Sequence, residues 1–473
     1  MSVRDTFKLL INTYDNDNDN DNHYNYYTYN TILFIIFVGY LAQLLYHAIK
    51  LRYLGIIPDE VEHYAHIQLY INNLTLFLQD GPQTYPFGPV RTTPFLYYYL
   101  MGGCLKLNSL INLNPILFLR IINVIIAIIK FHYIYLLTKE IVSSKIIQLT
   151  IMMVATNILM YVALSAGITY DNLVNCLAVC SFYYLLRFLK GESGERLFNL
   201  AIFILLSLIG NLTKVTYPPL FLMQLILLLP FYKTMPQKVP PRKVPADLFR
   251  PKWLLTISSL VFFLVLNCTL YGRNLILYGS LEPSCPQVIN EKICSNYSSS
   301  YVRDADLQKN VNLNPHKLPI TLNFWNFFAK YVEENLGSIL AIHTYQSIFK
   351  HYKDLYKENT LMILALLMLF LVNFKRCFYN YSFNVLFFSA LAYLLLLFTH
   401  NYLTYQKFHV FGIALQGRYT FPVIINIVIV LTYGGMTGLH RYLKWPLFLF
   451  VSYVFIRGNF YYFKKFADSL WFN

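Results

Sequence analysis

Pro58-Asp59-Glu60-Val61-Glu62-His63 follows the first long apolar run of the chain, with His66 one helical turn further on. Three carboxylates and two imidazoles thus stand beside a candidate membrane span in a chain that is only 13% charged. Acids near lipid are costly to keep, so such a cluster is a candidate working site. A carboxylate at the end of a lipid-walled cavity can have its pKa raised enough to take a proton from a substrate hydroxyl, which is general-base chemistry. Asp59, Glu62 or His63, and His66 recur at three- and four-residue spacing and share one face if the segment is helical. Pro58 suits a first helical turn, and acids there favour the positive end of the helix dipole. The same residues also fit a solvated amphipathic helix on the headgroups, and spacing alone leaves both readings open. Asp59, Glu62, His63 and His66 could further offer oxygen and nitrogen ligands to a divalent ion. They match no recognised ligand spacing, and hydroxyl deprotonation by a carboxylate requires no cofactor.

Other charged residues stand at the ends of apolar runs. Asp171, in Gly167-Ile168-Thr169-Tyr170-Asp171-Asn172, could cap the next helix and also bind an acceptor hydroxyl or orient a base. Lys214 in Gly210-Asn211-Leu212-Thr213-Lys214, Arg273 in Tyr271-Gly272-Arg273-Asn274 and Arg418 in Gln416-Gly417-Arg418-Tyr419 are cations in similar positions. Near lipid a cation needs a phosphate or carboxylate partner, or it snorkels to headgroups.

The elements that must position these residues are membrane helices. The chain has 473 residues, 56% of them hydrophobic and 18% aromatic, with a mean hydropathy of +0.45. That composition excludes a soluble globular protein. The expected fold is all-α, a polytopic transmembrane bundle of about 11–13 spans. Apolar runs lie near 31–51, 115–137, 146–166, 172–190, 197–213, 216–232, 253–271, 360–374, 383–400, 418–436 and 445–458. Thr93–Leu107, at about fifteen residues, is short for a span and reads as an interfacial or re-entrant helix. Residues 1–30 are polar, include the Asp/Asn repeat of 15–22, and read as a disordered cytosolic tail with no cleavable signal peptide after it. Residues 31–473 then form the membrane domain.

A net charge of +15 does not point to nucleic acid, because the basic residues are scattered between spans. Alternate connections carry them, above all 233–252 with Lys233, Lys238, Arg242, Lys243, Arg250 and Lys252. The positive-inside rule then places the N-terminus in the cytosol. The first exoplasmic loop is 52–114, Gly167–Asp171 is a short second one, and 271–359 is a larger exoplasmic insertion. Cys285 and Cys294 in that insertion could pair if it faces an oxidising compartment; the other five of the seven cysteines lie in or beside apolar runs. Asn296-Tyr297-Ser298 and Asn73-Leu74-Thr75 are candidate glycosylation sequons.

Taken together, the motifs resemble the GT-C superfamily of integral-membrane glycosyltransferases, including the dolichyl-phosphate-mannose mannosyltransferase group. The acidic Pro-Asp-Glu-x-x-His after the first span and the aromatic Arg91-Thr92-Thr93-Pro94-Phe95-Leu96-Tyr97-Tyr98 carry the likeness. So do Arg120-Ile121-Ile122-Asn123, Thr169-Tyr170-Asp171-Asn172, Leu212-Thr213-Lys214 and Gln416-Gly417-Arg418-Tyr419-Thr420-Phe421-Pro422. The last is similar to an uncharacterised branch with a Gln-Gly-Arg-Tyr motif. The resemblance runs from about residue 30 to about 430.

It implies transfer of a sugar, with inversion, from a polyprenyl-phosphate donor to a glycan, lipid or protein acceptor on the exoplasmic side. Asp59 would be the base, with Glu60 as fallback, and Asp171 would help bind the acceptor. Lys214, Arg273 and Arg418 would hold the departing phosphate, with Glu62, His63, His66, Gln416 and Tyr419 in support. The membrane would be that of the endoplasmic reticulum or a bacterial inner or plasma membrane. A large soluble C-terminal domain, used by several such enzymes, is absent from the pattern. The competing expectations are a multi-pass transporter or lipid flippase, and a non-catalytic GT-C-like membrane subunit.

Overall fold

Runs of apolar residues too long for solvent become helices, and the computed structural model shows little else. It describes residues 22–53, 56–72, 75–191, 193–233, 251–313, 322–340, 349–411, 416–461 and 465, and among these there is no strand. In chain order the helices are α1 (Asn22–Lys50), α2 (Glu60–Gln68), α3 (Leu96–Ile111), α4 (Pro115–Ile141), α5 (Lys145–Ala155) and α6 (Leu159–Ala166). There follow α7 (Tyr170–Lys190), α8 (Ser193–Asn211), α9 (Tyr217–Lys233), α10 (Pro251–Asn267) and α11 (Arg273–Tyr278). Three short helices come next, α12 (Cys285–Val288), α13 (Glu291–Tyr297) and α14 (Ser299–Leu313). The rest are α15 (Phe324–Leu340), α16 (Phe349–Cys377), α17 (Tyr381–Phe408), α18 (Phe421–Met436) and α19 (Arg441–Ile456).

Seven helices among the described residues are long and apolar enough to cross a bilayer, and the bent pair α5–α6 makes an eighth. This is an integral membrane protein. The other three expected spans are helices too (α8, α9 and α19), although α19, with 16 residues, reaches only about 24 Å. Helix α1 starts at Asn22, inside the tail expected to be disordered. Composition missed the packing of its aromatic residues: Tyr29 is buried, and its hydroxyl donates to Gln148 Oε1 at 2.5 Å. The Asn73 sequon, residues 234–250 of the basic connection and most of the Asp/Asn repeat lie outside the described residues. Cys285 and Cys294 form the disulfide that their isolation in a polar segment made conceivable.

Local chemistry sets where the helices begin and break. Asn114 caps α4 by accepting from the Ile116 and Leu117 amides, with Pro115 at the first position, where no amide hydrogen is missed. Asn380 caps α17 in the same way, through the Phe383 amide. The 64° bend between α5 and α6 falls at Thr156-Asn157. There the Thr156 hydroxyl donates to the Met152 carbonyl at 2.8 Å and the Asn157 amide to the Met153 carbonyl at 2.8 Å, side-chain bonds that compete with continuation of the helix.

The large core runs through α1, α4–α7 and α16–α19, and a second core packs α3 and the first loop onto α4, α7 and α8. Between them sits Arg120. It is fully buried with Glu60, to which it makes a forked pair: Nε to Oε1 at 2.9 Å and Nη2 to Oε2 at 2.7 Å. Its remaining donors take carbonyls at the end of α1 (Ala48 at 3.2 Å, Leu51 at 2.7 Å, Arg52 at 3.1 Å). Glu60 Oε1 in turn accepts the Ile168 amide at 3.0 Å, just before α7. One ion pair therefore ties α1, α2, α4 and the start of α7 together.

Removing one partner strands the other charge in the interior, which typically costs about 3–5 kcal/mol. Arg120→Met is expected to lower the thermal midpoint in detergent sharply, and Glu60→Gln with Arg120→Met is expected to regain part of it. A double variant no more stable than Arg120→Met would show that the clamp is not what holds these elements.

Candidate functional site

The chain ends and helix starts that carry the charged candidates converge at one end of the bundle. Asp59 is the residue before α2, in the left-handed region at φ 59°, a conformation that Asp tolerates better than most side chains. It precedes the helix that carries His63 and His66, and its carbonyl accepts the His63 amide at 2.9 Å. Asp171 lies in the first turn of α7, whose cap, Thr169, accepts the Asp171 amide at 3.2 Å. Lys214 follows α8, and Arg418 lies in a single 3-10 turn, Gly417–Thr420, that leads into α18.

These four side chains form an alternating chain of charge. Lys214 Nζ is 2.5 Å from Asp171 Oδ1. Arg418 Nη1 is 4.0 Å from Asp171 Oδ2, and Arg418 Nη2 pairs closely with Asp59 Oδ2. Lys214 Nζ also sits 4.7 Å from the centre of the Tyr170 ring and 4.9 Å from that of Tyr419, so two aromatic faces wall the ammonium off from water. Arg418 can come this deep because its neighbour is glycine. A Cβ at Gly417 would meet the Asn335 carbonyl at 2.6 Å and the Ser338 hydroxyl at 2.7 Å, and the Gly417 amide donates to that hydroxyl at 2.7 Å.

His63 and His66 face inward and build an aromatic wall beside the charges. His66 stacks on Tyr98 at 3.8 Å, His63 meets Tyr170 edge-on at 4.4 Å, and His63 Nδ1 is 3.0 Å from the Tyr98 hydroxyl. Burial pulls the His63 pKa down to about 4, with Arg418 and Lys214 pulling the same way and Asp171 and Asp59 opposing. Burial, with His63 beside it, pulls His66 down to about 3. Both rings are neutral at neutral pH. Glu62 is exposed; partial burial pushes its carboxyl up, the Asp59 carboxylate adds to the rise, and Arg418 opposes it.

The other candidates fall elsewhere. Glu60 is enclosed by Arg120 with no exposed surface, so its carboxylate has no lone pair turned toward a substrate. Arg273 does not join the chain of charges; it donates to the Arg91 carbonyl at 2.6 Å, while Asn274 takes the Thr92 carbonyl at 2.9 Å. These two residues pin the start of the 271–359 segment to the first loop. Gln416 is half-buried and its carbonyl accepts the Tyr419 amide at 3.0 Å. Among the described residues no three His, Cys, Asp or Glu side chains converge to hold a metal ion. Arg120 was visible in the sequence as a cation inside an apolar run, a sign that a buried partner must exist, but nothing local named Glu60.

An apolar cavity of about 640 Å³ opens beside this cluster, between α15, α17 and α18. Trp325, Phe328, Leu394, Phe398 and Ile424 line it, and it reaches Thr420, the last residue of the turn that carries Arg418, and Asn335, which packs on that turn at Gly417.

The sequence matches no protein-family model and none of the curated proteins. Among solved structures the chain is similar to the oligosaccharyltransferase of Archaeoglobus fulgidus crystallised with Zn and sulfate, at 14% identity and a TM-score of 0.49, over 90% of this chain and 53% of that one. It is also similar to oligosaccharyltransferase AglB from Archaeoglobus fulgidus in complex with an inhibitory peptide and a dolichol-phosphate, at 13% identity and a TM-score of 0.47, over 92% and 55%. The chain thus spans about half the length of these proteins, and no residue role assigned above rests on them.

The neutral histidines set a pH dependence. Unfolded, both have ordinary values near about 6.5 and bind protons that the folded protein refuses until the pH is far lower. Their contribution to stability is complete above that value and is lost as pH falls toward about 4 for His63 and about 3 for His66. The thermal midpoint is expected to drop between pH 7 and 4.5, and less steeply in His66→Phe. An identical slope in that variant would show that the ring does not enter the fold neutral.

Proposed function

We propose that this protein is a membrane glycosyltransferase that moves a sugar from a polyprenyl-phosphate carrier to an acceptor hydroxyl. The observation that carries the reading is an apolar cavity that reaches Thr420, in the same turn of chain as the buried Arg418, which leads on through Asp171 to Lys214. A hydrocarbon tail fits a groove lined by Trp325, Phe328, Leu394, Phe398 and Ile424. The phosphate at its head would reach Arg418 and Lys214, where charge-assisted bonds are strong because water is scarce.

In this reading Asp59 is the general base. The acceptor oxygen attacks the anomeric carbon from the face opposite the phosphate, giving inversion, and its proton passes to Asp59. The C–O bond to phosphate breaks with the electron pair leaving on the phosphate, whose charge Arg418 and Lys214 neutralise. Asp171 holds Lys214 in place and helps position the acceptor, with His63, Tyr419 and Glu62 around it. No metal is needed for these steps. In this reading the basic connections lie in the cytosol and this end of the bundle, with the 52–114 and 271–359 segments, faces the non-cytosolic side, which suits the Cys285–Cys294 disulfide. The acceptor is a hydroxyl of a glycan, lipid or protein.

The test is sugar transfer by the purified full chain in lipid, with radiolabelled polyprenyl-phosphate sugars. Asp59→Asn is expected to lower kcat by about 10²–10⁴, the usual worth of a positioned base. Leu394→Trp, which narrows the groove, is expected to raise KM for long-chain donors more than for short-chain ones. Transfer undiminished in Asp59→Asn would remove the base assignment, and no transfer by the unmutated chain with any of these donors would favour a non-catalytic subunit or a flippase.

A further inference from the structure

Asp59 and Asp171 are matched against Lys214 and Arg418, so the cluster is already neutral before any substrate arrives. A phosphate brought to Arg418 adds negative charge to a site with little water to screen it. It also needs guanidinium N–H groups now turned to Asp59. One of the two carboxylates must give way, and they are held very differently. The Asp171 side chain is 3% exposed, fixed in the first turn of α7 and engaged by Lys214 and the Thr169 hydroxyl. The Asp59 side chain is 18% exposed and springs from a non-helical residue ahead of α2. The Arg418 Nε, buried and making no hydrogen bond, offers the phosphate a first contact before the exchange at Nη2.

Resting on the donor reading above, we infer that Asp59 and the donor phosphate compete for Arg418. The arriving phosphate takes over the guanidinium, and the Asp59 carboxylate turns toward the acceptor hydroxyl. The exchange is non-covalent, and the bonds made and broken in transfer stay those already described. Its consequence is order. Without donor the base is occupied, so acceptor bound first meets a carboxylate already committed to an arginine; donor binding assembles the catalytic arrangement. Asp171 and Lys214 stay paired through the exchange, as the fixed half of the site.

The probe is a polyprenyl phosphate without sugar, titrated into the purified full chain. If Asp59 competes with phosphate, Asp59→Asn binds the probe more tightly than wild type, by about five- to tenfold at the coupling energies usual between linked sites. Asp59→Glu keeps the competing charge and binds about as wild type, and Arg418→Lys binds more weakly. In the unmutated protein, labelling of the Asp59 carboxylate by a carbodiimide, read by mass spectrometry, rises when the probe is added; this arm holds even where a variant does not fold. Unchanged or weaker binding by Asp59→Asn, or labelling that stays level or falls, overturns the exchange while Arg418-dependent binding leaves the donor reading intact. A wild-type protein that binds no probe overturns both.

Discussion

The buried pair of Glu60 and Arg120 is the constraint on which the site depends. A guanidinium and a carboxylate with no exposed surface are tolerable in a membrane protein only if every donor and lone pair is used. Here the unused positions are filled by the chain itself: three carbonyls at the end of α1 and one amide ahead of α7. The pair thereby fixes how the first loop leaves α1 and where α7 begins. Asp59 and Asp171 inherit their positions from it, since each lies one to three residues from an atom the pair holds. The neighbouring acids Asp59 and Glu60 divide the work, one building the frame and the other facing the site.

Next to this frame lies a second buried polar cluster. Lys130 is fully buried in α4, with its ammonium on the Ser165 hydroxyl at 2.5 Å and the Asn172 carbonyl oxygen at 3.0 Å, over the Tyr161 ring. Asn172 also reaches the Asn123 carbonyl at 2.7 Å. Polar groups shielded from lipid in this way hold helices in one register, because sliding would leave them unpaired. Rigidity beside the site and charge within it is a sensible division for a site that must place its groups to within a fraction of an ångström.

Much of this was legible in the sequence, for physical reasons that differ by level. The helices were visible because hydropathy is local: each of the eleven apolar runs is helical, with edges shifted where caps such as Asn114 and Thr169 decide them. The residue types of the site were visible because charge beside lipid is conspicuous, and Asp59, Asp171, Lys214 and Arg418 do meet. Their pairings were not visible, because Asp59 and Arg418 are 359 positions apart and no local rule spans that distance. The helix of this stretch begins at Glu60, one residue after Asp59, since a left-handed residue ahead of a helix leaves no mark in spacing. Arg273 looked equivalent to Arg418 by position, and only the fold shows it clipping one loop to another.

Gly417 has a consequence beyond letting Arg418 come close. Helix α15 touches the turn at that glycine through Asn335 and Ser338, and the same helix supplies Trp325, Phe328 and Ile339 to the apolar cavity. The wall that would feel a hydrocarbon chain and the turn that aims the guanidinium are one mechanical piece. A carrier that fills the groove badly would then tilt the charged end as well as bind weakly. On the proposed transferase reading, discrimination among lipids of different length or saturation would show up as a slower turnover, not merely as a lower occupancy.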